Sequence, residues 1–181
     1  MTSKSQRSPT EVVAEYMSEL LDPSTPVADP VPVATPRAEA GYYMCYLFGL
    51  EIGIPADRIC ADAPMPSRVR SGRLRGVLEV DRAGGAFNLI DLARLILPED
   101  MPNLDLPVEE RADHVILLDE GEWAVVAESP SEFVDIAGED IIWKGSRGRS
   151  RWLAGVIPSR RSVLIDPDGL LEVAESGKIS S

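Results

Sequence analysis

The pattern of apolar and polar positions changes character near residue 40. Before it, Val12, Val13, Tyr16, Met17, Leu20 and Leu21 form one stripe at helical spacing, with Glu11, Glu15, Ser18 and Glu19 on the opposite face. Ser8 is a good N-cap, Pro9 fits the first helical position, and Glu11 completes a capping box. Asp22-Pro23 stops the pattern, so an amphipathic helix is predicted over 8–22. An isolated helix of that length is marginal in water, and its stripe must dock. It docks either on this chain's own domain or in a groove of another protein. The acidic polar face weighs against a membrane surface. Residues 23–38 follow as an extended, semi-rigid linker that holds Pro23, Pro26, Pro30, Pro32 and Pro36. Residues 1–7 and 176–181 read as disordered ends.

From residue 39 to 175 the pattern is one of short strands and tight turns. Tyr42 to Phe48 is apolar on both faces and predicts a fully buried strand, followed by Glu51–Ile54, closed by Pro55. Three hairpins are predicted. The first pairs Gly76–Val80 with Ala86–Ile90 around a turn at 81–85. The second pairs Val115–Leu118 with Trp123–Ala127 around 119–122. The third pairs Trp152–Ile157 with Val163–Asp166 around 158–161. Phe133–Ile136 is a further strand. Asp91 caps a short helix, Leu92–Leu97, which Pro98 stops. Many short strands at regular spacing place the domain in the all-β class, as a barrel or sandwich.

Charge narrows the partners. The net charge is −12 over 181 residues, which weighs against general nucleic-acid binding and against an anionic membrane surface. The arginines cluster as Arg68, Arg70, Arg73 and Arg75, and again as Arg147, Arg149 and Arg151 beside Lys144, with Arg160 and Arg161 nearby. They form either solvated loops or a protein-contact surface that pairs with carboxylates. Cys45 and Cys60 sit in apolar sequence with no CxxC, and two buried thiols in a reducing cytoplasm are expected. The N-terminus lacks the apolar core of a signal peptide, and no run is long enough to span a bilayer.

Candidate chemistry is sparse. The one histidine, His114, cannot build a histidine metal site, and no nucleophile-elbow pattern accompanies a serine. It is read as structural. Asp166-Pro167-Asp168-Gly169 lacks the rest of a calcium loop and is read as a turn. Gly145-Ser146-Arg147-Gly148 lacks the lysine and helix of a phosphate loop. Trp123, Trp143 and Trp152 are read as packing residues. No catalytic, cofactor or metal residues are predicted, which moves weight from enzyme to binding module.

Four segments resemble one family. CYLFGLEIGIPADRI (Cys45–Ile59) resembles the opening strands of CheW-like domains. GVLEVDRAGGAFNLIDLARLI (Gly76–Ile96) is similar to the family's central strand, Asn-x-Arg-Gly turn and Ile-Asp-Leu entry to a helix. HVILLDEGEWAVVAESPSEFVDIAGEDI (His114–Ile141) resembles the second-half hairpin, and WLAGVIPSRRSVLIDPDGLLEV (Trp152–Val173) the closing one. The resemblance implies two small five-stranded, SH3-like barrels around a shared core. It implies a non-enzymatic, cytoplasmic adaptor of a two-component system that bridges a CheA-type histidine kinase and methyl-accepting chemotaxis receptors in a membrane-proximal or polar array, without a cofactor. Protein-contact candidates taken from the matched segments are Ile59, Arg73, Arg75, Arg82 and Gly84. Glu79 stands where the family's asparagine falls, and the turn reads about two residues longer. With the added helix and linker, this fits a divergent or accessory member, such as the ParP-like polar-localisation proteins, in which the stripe from Val12 to Leu21 would bind a polar or motility protein. A ligand-binding barrel, or a nucleic-acid-binding one stacking bases on Trp143 or Trp152, is the reading from another class.

Overall fold

The computed structural model of the chain describes residues 8–21, 41–67, 69–71, 77–82, 85–144 and 151–176. The expected linker, the loop 145–148 and both expected disordered ends lie outside them, apart from Ser176. The first element is α1 (Pro9–Leu21). Strands β1 (Tyr42–Leu47) and β2 (Leu50–Pro55) form a hairpin, and a 3-10 turn (Ala56–Arg58) leads to β3 (Ile59–Pro64) and β4 (Val69–Ser71). Then come β5 (Val77–Arg82), β6 (Gly85–Ile90), α2 (Leu92–Ile96), α3 (Val108–Arg111), β7 (His114–Leu118) and β8 (Trp123–Ala127). The chain closes with β9 (Glu132–Val134), β10 (Ile142–Trp143), β11 (Leu153–Ile157), β12 (Ser162–Ile165) and α4 (Pro167–Ser176).

These strands make two six-stranded sheets, ordered β10-β11-β12-β2-β1-β9 and β3-β7-β8-β6-β5-β4. Pairing is antiparallel except at the middle of each sheet, where β2 runs parallel to β12 and β6 parallel to β8. Both orders are open, so among the described residues the pairing does not show closed five-stranded barrels. The second sheet is one continuous stretch of chain. The first is assembled from both flanks of it.

The two sheets repeat a local device. β6 ends in Leu89-Ile90 and β12 in Leu164-Ile165, and an aspartate, Asp91 or Asp166, follows each. Each aspartate then caps the helix that follows. Asp91 Oδ1 accepts the Arg94 amide at 3.5 Å, and Asp166 Oδ1 accepts those of Asp168 and Gly169 at 3.1 and 3.3 Å. Donors orphaned at a helix start are satisfied this way. The segment 166–169, expected as a free turn, is therefore the opening of α4.

Apolar residues on both faces of the central strands explain the unbroken runs in the sequence. The main core takes Cys45 and Leu47 from β1, Ile52 and Ile54 from β2, Ile116 and Val125 from the second sheet, and Val163 and Ile165 from β12. The opposite face of the first sheet carries Tyr42, Met44, Ala154 and Leu164, clustered with Ile136. The opposite face of the second carries Val80, Phe87, Val115 and Val126 against Val108 and Ala112.

α1 belongs to the main core. Ser8 and Glu11 exchange the two hydrogen bonds of a capping box, at 2.9 and 3.3 Å. Val12 and Met17 are buried, and Val13, Tyr16, Leu20 and Leu21 pack partly buried against the same cluster. The stripe is thus covered by this chain itself.

Several sequence expectations are corrected. Cys60 is exposed on the edge strand β3, because its neighbours there are the exposed Ala61 and Asp62 rather than core. Cys45 alone is buried, and burial pushes its thiol up to about 12. β5 and β6 pair as far as Arg82 with Gly85, so their connection is two residues and not five. The strand expected at 133–136 is Glu132–Val134, and Ile136 leaves it to fill the core. Trp152 is buried and cannot serve as a stacking platform.

Candidate protein-contact surface

Of the five contact candidates, Arg73, Arg75 and Gly84 lie outside the described residues. Arg82 is described only in its backbone, as the last residue of β5. Ile59 opens β3 opposite Leu118 and packs half-buried against the main core. In strand order β3 and β5 are separated by β7, β8 and β6. At about 4.8 Å per strand, Ile59 and Arg82 stand roughly 19 Å apart across the sheet. They do not share one patch.

Beside Ile59 a charged cluster ties three elements together. The Arg58 guanidinium donates to Asp119 Oδ1 at 2.6 Å and Oδ2 at 3.0 Å, and to Asp168 Oδ1 at 2.9 Å. Hydrogen bonds from Arg58 hold the Asp119 carboxyl below its ordinary range. The cluster links the 3-10 turn, the β7–β8 turn and α4. His114 is held likewise. Its Nδ1 lies 3.2 Å from Asp62 Oδ1, while Ser131 gives both its amide and its hydroxyl to Asp62 Oδ2, at 2.7 and 2.8 Å. The serine hydroxyl is committed to the carboxylate, so the three residues form a structural brace and not a nucleophile with its base.

Among the described residues a shallow, open polar cleft lies at the end of the first sheet. Tyr46 on β1 pairs with Glu51 on β2, and Glu51 with Ser162 on β12, so three adjacent strands present these side chains in a row. The turn 158–161 folds Arg160 over the row. Its Nε and Nη2 donate to Glu51 Oε2 and Oε1 at 3.0 and 2.9 Å, and the Ser162 hydroxyl also donates to Glu51 Oε2. Burial alone would raise the Glu51 carboxyl. The hydrogen bonds from Arg160 and Ser162, joined by Tyr46, outweigh it and hold the group below its ordinary range. Tyr46, Gly49, Glu51, Arg160 and Arg161 line the resulting concavity of about 350 Å³.

Two backbone features frame it. Phe48 and Gly49 both have positive φ, 52° and 76°, forming the two-residue turn between β1 and β2. In the facing turn, Pro158 suits the first position and Arg161 takes the left-handed conformation at φ 56°. Glycine is the usual occupant of such a position, and an arginine there costs about 1 kcal/mol.

Sequence patterns missed this cleft. Tyr46 reads as one more member of a buried strand, yet it is 49% exposed. The available signal was Glu51, a lone carboxylate inside the apolar run LEIGI, which needs a buried partner. Among the described residues no group of histidine, cysteine or carboxylate side chains stands together as a metal-ligand set. No helix among them is long and apolar enough to cross a membrane.

No protein-family model matches the sequence, and no curated protein matches it. Among solved structures, the fold is similar to that of the scaffolding protein TtCheW from Thermoanaerobacter tengcongensis, with a TM-score of 0.57 at 13% identity. The match covers 78% of this chain and 97% of that one. The chain therefore has a CheW-like fold.

Proposed function

We propose that this chain is a non-enzymatic adaptor of a chemosensory array, bridging a CheA-type histidine kinase and chemoreceptors in the cytoplasm. The observation that carries the proposal is the likeness of fold over 97% of a CheW scaffolding protein. The four sequence segments that resemble the family support it, because they lie in order on β1–β2, β5–α2, β7–β9 and β11–α4. In this reading the two sheets correspond to the two small barrels of a CheW-like domain, and the tip of the β5–β6 hairpin, with Arg82 and Gly84, is one contact region. A rigid body with two binding surfaces holds kinase and receptor close, and receptor conformation then biases the kinase.

The tethering alternative assigns the stripe of α1 to a polar or motility protein. It requires that stripe to leave the core that covers Val12 and Met17, and no observation favours such a release. The test is affinity capture from native lysate with the full-length protein and with Arg82→Glu. Recovery of a CheA-type kinase or a chemoreceptor by the wild type, reduced at least tenfold by Arg82→Glu with an unchanged thermal midpoint, supports the reading. Recovery of neither signalling protein overturns it.

A further inference from the structure

The cleft between the β1–β2 and β11–β12 turns has no part in that reading, and its chemistry is specific. Its two arginines are not equivalent. The Arg160 fork is spent on Glu51, with Glu139 Oε1 a further 3.9 Å away from Nη1. Arg161 is exposed, and its guanidinium makes no hydrogen bond or ion pair with any described residue. Of the charges lining the cleft, Arg160 and Glu51 cancel and Arg161 remains. Tyr46 stands open beside it. The unpaired cation also sits on the left-handed residue of its turn, where glycine would relieve the backbone. Strain of this kind persists where the side chain serves a purpose.

We propose that this cleft receives a carboxylate from an acidic segment of a partner protein, with Arg161 as its anchor and the Tyr46 ring as the surface beside it. A guanidinium fork matches the two oxygens of a carboxylate. A phosphate dianion fits less well, because one free guanidinium is on offer for two negative charges. The net charge of −12 weighs against nucleic acid. A chain of opposite local sign confined to one site selects by position, which favours a short acidic peptide over an extended polyanion. The inference does not depend on the adaptor reading, since its probe is neither kinase nor receptor.

The experiment titrates the isotope-labelled full-length chain with a blocked Glu-Ala repeat peptide, its Gln-Ala counterpart and inorganic phosphate, following amide resonances. Saturable shifts at Gly49 and Ser159–Ser162 with the glutamate peptide are expected, with at least tenfold weaker binding of the glutamine peptide and of phosphate. Arg161→Gly is expected to lose that binding at least tenfold while its thermal midpoint stays level or rises. Arg161→Lys keeps part of the affinity. Equal binding of the two peptides, preference for phosphate, or no shift at millimolar peptide overturns the proposal. So does an Arg161→Gly protein that binds as well as wild type, or one that unfolds, since the side chain would then be structural.

Discussion

At the scale of single residues, the most consequential interaction is hidden beneath α2. Arg111 and Asp91 have side chains only 3% and 2% exposed, and Arg111 Nη2 lies 2.5 Å from Asp91 Oδ2. Arg111 also donates from Nε to the Leu106 carbonyl at 2.9 Å and stands over the Phe48 ring, 5.7 Å from its centroid. One guanidinium thus fixes the loop before α3, the cap of α2 and the β1–β2 turn. Removing Arg111 leaves the buried Asp91 carboxylate with one remaining cation among the described residues, the partly exposed Arg94, whose Nε lies 3.3 Å from Oδ2. Arg111→Ala is therefore expected to lower the unfolding free energy by about 3–5 kcal/mol, read as a shift in urea midpoint at constant m-value. A loss below about 1 kcal/mol would mean that Arg94 alone compensates Asp91. The pair was only half legible. Asp91 announces a helix cap by its place before Leu92, whereas nothing in the spacing to Arg111 indicates a partner 20 residues on.

At the scale of elements, α1 shows how local and tertiary information divide. Its capping box, stripe and approximate ends follow from spacing alone. Where the stripe goes does not, because periodicity describes a face and not what covers it. Met17 is 4% exposed in the main core. Met17→Ala is expected to cost about 2–4 kcal/mol and to leave thermal unfolding as a single transition. A cost under about 0.5 kcal/mol would mean that α1 contributes little to the fold. The three hairpins were legible because glycine, proline and charged residues interrupt the apolar runs. β3, β4 and β10 were not, since small, charged or very short segments at a sheet edge carry little apolar alternation. The opening of α4 was hidden for another reason. Pro167-Asp168-Gly169 has turn composition, and only the carboxylate of Asp166 converts it into a helix start.

At the scale of the whole molecule, carboxylates bind the parts together. Glu51 is held by Arg160 across the first sheet, and Asp119 by Arg58 between the β7–β8 turn and the 3-10 turn. Both carboxyls titrate below their ordinary values of 4.5 and 3.8. A lowered folded value means that their stabilisation is complete above the unfolded value and disappears as pH falls through the folded one. Thermal midpoints should therefore be level near neutrality and fall below about pH 4. Glu51→Gln should flatten that fall. An acid limb as steep in Glu51→Gln as in the wild type would show that other groups govern it. The mostly-β class follows from strand grammar, but the division into two sheets does not, because short apolar strands do not declare which neighbour they pair with.

The way the first sheet is assembled bears on how the protein is made. Residues 59–127 hold all of the second sheet, so each of its strands finds its neighbours while synthesis is still under way. β2 must wait. Its parallel partner β12 brings Ser162 to Glu51 and Leu164 to Gly53, and Ser162 is synthesised 111 residues after Glu51. Until then β2 keeps one edge of backbone donors and acceptors unpaired. A nascent chain stalled before residue 162 thus presents that open edge to chaperones or to a strand of another molecule.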